Sequence, residues 1–283
     1  AYISYNMTVP YFYKNSNSRF LSIEGEDSNE FLQNLITNDI NQCFKDNFLY
    51  SCLLTPQGKF LSDFFIFKQD KKYLLETHSF FYEKLLKKLN LYKLRSKVHI
   101  KEVYNLHSYS VFGDLQKDQD TLIFNIDPRN ANIGLKLIHL KKDPKILDDF
   151  NNISEEKYHE ILIQNLVPLS HYDLEENKSL LLENNFENLN SISWDKGCYV
   201  GQEITARMKY RALLKKKIYS LEIKDGSPII GQLIKDNESE FGKIISIKNN
   251  FVLAMLKIEL ADKKIITKKQ IKTNEGLILE FIL

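Results

Sequence analysis

The chain has 283 residues, enough for two or three compact modules that each bury a core. Its apolar fraction of 43% and charged fraction of 27% are those of an ordinary globular protein. A formal net charge of +2 excludes a chain-wide field that would demand a nucleic-acid or acidic partner, and no apolar run approaches the roughly 20 residues that span a bilayer. Arg19–Glu24 reads as a strand and Asp27–Thr37 as a helix, with Asp27 and Glu30 as a capping box and Phe31, Leu32, Leu35 and Ile36 as its apolar face. Leu49–Leu54 and Lys59–Phe67 read as aromatic-rich strands on either side of Thr55-Pro56-Gln57-Gly58, a tight turn in which Pro presets φ and Gly tolerates a positive one. Tyr73–Thr77 continues the strands, and Ser79–Asn90 has helical spacing. Further strands are expected at Lys97–Val103, Ser108–Phe112 and Thr121–Ile126; Asp127-Pro128-Arg129 interrupts them and Ile133–Leu140 resumes. Ser154 caps a helix running to about Asn165. The polar stretch 175–190 shows no assignable period. After Lys215, short alternating strands separated by Asp225-Gly226, Asp236-Asn237 and Asn249-Asn250 predict a small all-β module.

The three cysteines, Cys43, Cys52 and Cys198, form no CxxC and no zinc spacing, and so sparse and odd a set fits a reducing compartment. Cys43 and Cys52 read as core fillers. The six histidines show no metal-ligand spacing, so no metal site is expected. There is no phosphate-cradling glycine loop, dinucleotide fingerprint or nucleophile elbow.

The densest chemistry is Lys196-Gly197-Cys198-Tyr199-Val200-Gly201-Gln202-Glu203. Its glycines permit backbone angles and close approaches that a Cβ forbids, and Lys196 stands where it would lower the pKa of the Cys198 thiol. The plainer reading is a glycine-bounded turn leading into a helix, with Cys198 as a small buried hydrophobe. Glu203 and Arg207, four apart, either pair on the outside of that helix or hold the cysteine loop in place.

This octapeptide, followed by Arg207, resembles the signature of the YgfZ-type folate-binding proteins, which maintain iron–sulfur enzymes and are relatives of the glycine-cleavage T-protein, an aminomethyltransferase. Gly25-x-Asp27, Phe31-Leu32-Gln33 and Thr37-Asn38-Asp39 are similar to that family's first pattern, Thr55-Pro56-Gln57-Gly58-Lys59 with Asp63 to its second, and Asp127-Pro128-Arg129 to its third. Gly242-Lys243-Ile244-Ile245-Ser246 and Leu253-Ala254 are similar to the T-protein's C-terminal barrel. The resemblance implies an α+β fold: three modules in a ring around a central folate opening, ending in a small β-barrel. The corresponding division is residues 1–48 with 141–212 as a discontinuous first module, 49–140 as an inserted second, and 213–283 as the barrel.

What the resemblance implies for function is a tetrahydrofolate-binding accessory protein that supports iron–sulfur cluster assembly or repair in client enzymes, tRNA-modifying ones among them. Tetrahydrofolate or a one-carbon derivative is the implied cofactor, and iron–sulfur client or assembly proteins are the implied partners. A folate-dependent aminomethyltransferase or demethylase is the alternative, so enzyme status stays open. A tRNA-binding module using Lys209, Arg211, Lys215, Lys216 and Lys217 is the third reading, beside a plain solvated helix end. The expected location is a bacterial cytosol, or else the mitochondrial matrix.

Candidate chemical residues are Cys198 and Asp63; candidate folate contacts are Asn38, Asp39, Gln57, Asp63, Arg129, Glu183, Trp194, Lys196, Tyr199 and Gln202. Gly197, Gly201, Glu203 and Arg207 would support the loop. Asp63 lies in an apolar strand, where a carboxylate is either turned to water or buried with a partner and a task. In T-proteins that strand carries adjacent acids; here the dipeptide is Ser62-Asp63, which leaves pterin recognition open and puts the T-protein reaction in doubt. Asn38 and Asp39 read equally as helix end and ligands, and Trp194 as core packing or a pterin platform.

Overall fold

A computed structural model describes residues 9–211, 213–236 and 239–282. The first half contains β1 (Tyr11–Lys14), β2 (Ser18–Glu24), α1 (Ser28–Leu35), β3 (Leu49–Leu54), β4 (Phe60–Gln69), β5 (Lys72–His78) and α2 (Ser79–Lys93). There follow β6 (His99–Val103), β7 (His107–Phe112), β8 (Thr121–Ile126), β9 (Leu135–His139), β10 (Asn151–Asn152), α3 (Glu155–Gln164), α4 (Ser170–Asp173) and α5 (Gln202–Tyr210). The last part holds β11 (Lys216–Asp225), β12 (Leu233–Asp236), β13 (Ser239–Lys248), β14 (Phe251–Lys257), α6 (Ile258–Ile266), β15 (Ile271–Lys272) and β16 (Ile278–Phe281).

These strands make three sheets, ordered β3-β4-β5-β2-β6, β10-β1-β7-β9-β8 and β12-β13-β14-β11-β16-β15. The first sheet buries one face under α1 and α2, where Leu21, Ile23, Phe64, Ile66 and Leu75 meet Leu32, Leu35, Leu85 and Leu89. Period-two alternation turns Phe20, Phe67 and Leu74 to the opposite face, where they meet Ile123 and Ile138 of the second sheet. A boundary at 48/49 would cut the first sheet, because β2 pairs with both β5 and β6. In the third sheet the end strands β12 and β15 approach each other, giving a nearly closed, barrel-like module around its own core of Leu221, Ile244, Leu256 and Leu279.

Several local expectations need correction. No capping box forms at α1: Asp27 makes no side-chain cap there, and its Oδ2 instead accepts from the Lys97 N–H at 2.7 Å. The helix also stops at Leu35, because Ile36 is extended and bridges Leu53. The C-terminal module is not all-β, since α6 follows β14 and buries Ala261 against the barrel core. Stretch 175–190 is irregular apart from a short 3-10 turn at Leu182–Asn184, but Leu181, Leu182, Phe186 and Leu189 anchor it in the central core. Ser154 does cap α3, accepting from the Lys157 N–H, and Asn249 makes its turn with φ +51°. Residue Asn237 of the expected Asp236-Asn237 turn lies outside the described residues.

Candidate functional site

Between the first two sheets the interior changes from apolar to polar and opens into a cavity of about 120 Å³. Strand alternation puts Asp63 on the same face of β4 as Phe65 and Phe67, so its carboxylate points inward, not to bulk water. Its Oδ2 accepts from the Tyr50 hydroxyl at 2.5 Å and the Ser170 hydroxyl at 2.6 Å. Burial, and then the neighbouring Asp63 charge, push the Tyr50 phenol well above its ordinary pKa, so it stays a donor. Arg129 reaches the same cavity, bound bidentately to Asp127: Nε to Oδ1 at 3.0 Å and Nη2 to Oδ2 at 2.8 Å. Its guanidinium lies 4.9 Å from the Phe65 ring centre.

Deeper in, Lys136 and Glu76 form an ion pair with each side chain only 4% exposed. The Lys136 ammonium is 2.8 Å from Glu76 Oε2, donates to Ser108 Oγ at 3.0 Å and lies 4.1 Å from the Phe65 ring centre. Ser18 donates to Glu76 Oε1 at 2.6 Å. Such a pair survives burial because every charge has several compensating neighbours.

Three of the histidines scattered in sequence, His78, His159 and His171, gather at this cavity. The His78 and His171 rings stack at 3.7 Å and 6°. His78 Nδ1 accepts from the Phe80 N–H and caps α2, a role that requires an unprotonated Nδ1. Burial, and then repulsion from His171, lower the His78 pKa to about 4. No local motif marks this trio, since residues 78 and 171 meet only through tertiary packing; the sole sequence signal is His78 directly before the α2 pattern.

The octapeptide forms a separate site. Lys196 is buried and its Nζ donates to the carbonyls of Gln33, Ile36 and Asn38 at 2.7, 2.8 and 2.8 Å. Those carbonyls lie at and just beyond the C-terminal end of α1, which a cation stabilises. Burial lowers the Lys196 pKa to about 8, with Asp39 acting against it. The role expected of Lys196 is therefore corrected: its ammonium is committed to backbone oxygens. Gly201 has φ +84°, and a Cβ there would lie 2.6 Å from the Thr55 carbonyl oxygen and 2.9 Å from Leu54 Cβ. Its neighbour is Gly58 of the β3–β4 turn, so loop and hairpin cross where neither can carry a side chain. Gly197, by contrast, has nothing within 4 Å of the point a Cβ would occupy, so close packing does not explain it.

Tyr199 drops into the central core with its ring 5.1 Å from Lys196 Nζ, and the Val200 N–H donates to the Asn34 carbonyl. Between these anchors Cys198 is exposed, whereas Cys43 and Cys52 are buried. Burial pushes the Cys43 thiol up to about 12 and Cys52 well above its usual value, so both are poor nucleophiles.

The remaining candidates lie outside the cavity lining. Asn38 donates to the carbonyls of Tyr50 and Asn190 at 2.8 and 2.7 Å, and Asp39 Oδ1 accepts from Gln33 Nε2 and the Asn41 N–H. Trp194 packs under Lys209, 4.0 Å from its Nζ, and edge-on to Tyr210. Glu183 is half-buried 3.9 Å from Lys216, with burial raising its pKa. Gln57 is exposed at the hairpin tip, and Gln202 opens α5 half-buried. The Glu203–Arg207 pair, 3.6 Å apart, is 81% and 48% exposed. Only Asp63 and Arg129 of the candidates line the central cavity; Cys198 does not.

Residues 13–113 match the GCVT N-terminal domain family. The mitochondrial iron–sulfur cluster assembly factor IBA57 homolog of Neurospora crassa is 30% identical over 228 residues, covering 72% of this chain and 52% of that protein. Human mitochondrial iron–sulfur cluster assembly factor IBA57 is 27% identical over 284 residues, covering 90% of this chain and 79% of its own. The aminomethyltransferase T of the glycine cleavage system from Bartonella henselae superposes with a TM-score of 0.69 at 11% identity, covering 96% of this chain and 84% of that one. Fold and relatives together liken this chain to T-protein-like proteins of the YgfZ/IBA57 type. It spans about half the length of the fungal relatives it matches. In this T-protein-like chain the matched domain contains Asp63 and Tyr50, while the Cys198 loop lies beyond it.

Proposed function

We propose that this chain is a mitochondrial, tetrahydrofolate-binding accessory protein for iron–sulfur cluster assembly, with Cys198 as its contact to the cluster. The observation that carries this reading is the exposed Cys198 on a loop braced by Lys196 and Gly201, in a chain whose relatives are named iron–sulfur cluster assembly factors. Those relatives are also named mitochondrial, which supports the matrix alternative over a bacterial cytosol. Iron–sulfur clusters are commonly held by four protein ligands. Among the described residues no group of three or more His, Cys, Asp or Glu could hold a metal ion. In this reading Cys198 supplies one ligand and a partner protein supplies the others.

The donor set of the central cavity fits a reduced pterin. Asp63 offers a carboxylate to ring N–H groups, and Phe65, Phe81 and Tyr158 line the cavity with aromatic rings. Asp63 and Arg129 would hold the pterin, while Tyr50 and Ser170 fix the Asp63 carboxylate by donating to one oxygen. Folate supplies one-carbon chemistry when bound; this chain's residues bind and orient it. Three cations of the Lys209–Lys217 stretch are engaged within the chain, Lys209 with Glu187, Lys216 with Glu183 and Lys217 over Tyr219, and tRNA binding gains no support from them.

Complementation of cells depleted of the chain tests the reading. Cys198→Ser should fail to restore iron–sulfur enzyme activities although the protein accumulates normally. Full restoration by Cys198→Ser would remove the cysteine from the mechanism.

A further inference from the structure

Helix α2 carries Lys84, Lys88 and Leu91 one turn apart on one side, with Lys87 beside them. Leu91 is 62% exposed on this outer face. Leu53 and Leu61 of the β3–β4 hairpin and Leu85 of the helix line a groove of about 480 Å³, with Lys84, Lys87, Lys88 and Glu176 at its rim. Lys84 pairs with Glu176, whereas Lys87 and Lys88 make no ion pair with the described residues. The groove is therefore apolar at its floor and positively charged on one lip.

Its position matters as well. Leu53, Leu61 and Leu85 belong to the same apolar cluster against which Val200 of the Cys198 loop packs. The tip of the β3–β4 hairpin touches Gly201 in the same loop. Groove and cysteine loop share one support.

We infer that this groove docks an acidic amphipathic helix of a partner protein, its apolar residues entering between Leu61 and Leu91 and its carboxylates facing Lys87 and Lys88. Concavity favours a helix over a flat lipid surface, since side chains must enter below the lysine rim. Charge fixes the sign of the partner: acidic residues gain two free lysines, and basic ones meet repulsion. The groove's chemistry stands without Cys198. The link to cluster transfer rests on the function proposed above.

The test uses the intact chain and a fluorescent synthetic amphipathic helix of about 15 residues, leucine on one face and glutamate beside it. Anisotropy should show saturable binding that weakens with salt. Lys87→Glu/Lys88→Glu should weaken it at least about tenfold, equivalent to 1.4 kcal/mol. Carbodiimide coupling should place peptide glutamates on Lys84, Lys87 or Lys88. Cys198→Ser should bind the peptide unchanged, which separates this inference from the proposed function. Both exchanged lysines lie on the groove rim, and thermal melts of the variant confirm its fold. Equal binding of a lysine-bearing counterpart, unaltered binding by the double variant, or binding to anionic vesicles in place of the peptide would overturn the inference.

Discussion

The central cavity and the Cys198 loop use charge in opposite ways. In the cavity, groups satisfy each other, some brought together from far apart in sequence, Lys136 with Glu76 and Ser170 with Asp63, and others from nearby, Arg129 with Asp127 and Tyr50 with Asp63. In the loop one cation, Lys196, is used entirely to hold the backbone, and the thiol beside it is presented to solvent. Pre-paired interior groups suit recognition of a fixed ligand, because little reorganises on binding. A braced loop with an exposed thiol suits exchange with another protein. The two regions are therefore separable, and variants should reveal this.

The largest effect is expected at the interior ion pair. Lys136→Met should cost about 3–5 kcal/mol in urea unfolding, since it leaves the Glu76 carboxylate buried without its cation. Lys136→Met/Glu76→Leu should recover much of that loss. Next come the loop braces. Lys196→Met should cost about 1.5–3 kcal/mol through the lost charged hydrogen bonds to three carbonyls. Gly201→Ala should cost about 1–3 kcal/mol for its left-handed backbone alone, before the contact with Thr55 is counted.

Acid dependence sharpens the comparison on the cavity side. His78 titrates near 4 in the native state, below its ordinary 6.5, so the unfolded chain binds more protons between those values. Its contribution thus destabilises the fold as pH falls from about 6.5 to 4. Asp173, raised by burial to about 6 from 3.8, acts in the opposite sense over much of that window. Relative to wild type, His78→Asn, which keeps a cap for α2, should gain stability as pH falls, and Asp173→Asn should lose it. Parallel unfolding curves at pH 4.5 and 7 would contradict both assignments. The smallest effects belong to Gly197→Ala, where space is open, and Glu203→Ala, in an exposed pair: each should stay within about 0.5 kcal/mol.

Much of this was legible in the sequence where local patterns decide. The Thr55–Gly58 turn, the strands around it, the Ser154 cap and the helix after the cysteine motif all follow from residues close together. The T-protein-like fold was legible through the quoted motifs. Roles set by tertiary contact were not. Lys196 stands two residues from Cys198 in the chain, yet helix α1, about 160 positions earlier, captures its ammonium. The Asp27–Glu30 spacing promised a capping box, but the Lys97 amide competes for Asp27. His78 and His171 carry no mutual signal, and Asn38, which read equally as helix end and ligand, ties β3 to residue 190 through contacts visible only in three dimensions.

Calorimetric titration with tetrahydrofolate of the wild type, Asp63→Asn and Cys198→Ser tests the separation most directly. Asparagine still offers an oxygen to Tyr50 and Ser170, so the cavity should keep its shape while losing the carboxylate. The account predicts equal affinity for wild type and Cys198→Ser, and at least about a tenfold loss for Asp63→Asn. Loss of folate binding in Cys198→Ser, or undiminished binding in Asp63→Asn, would contradict it.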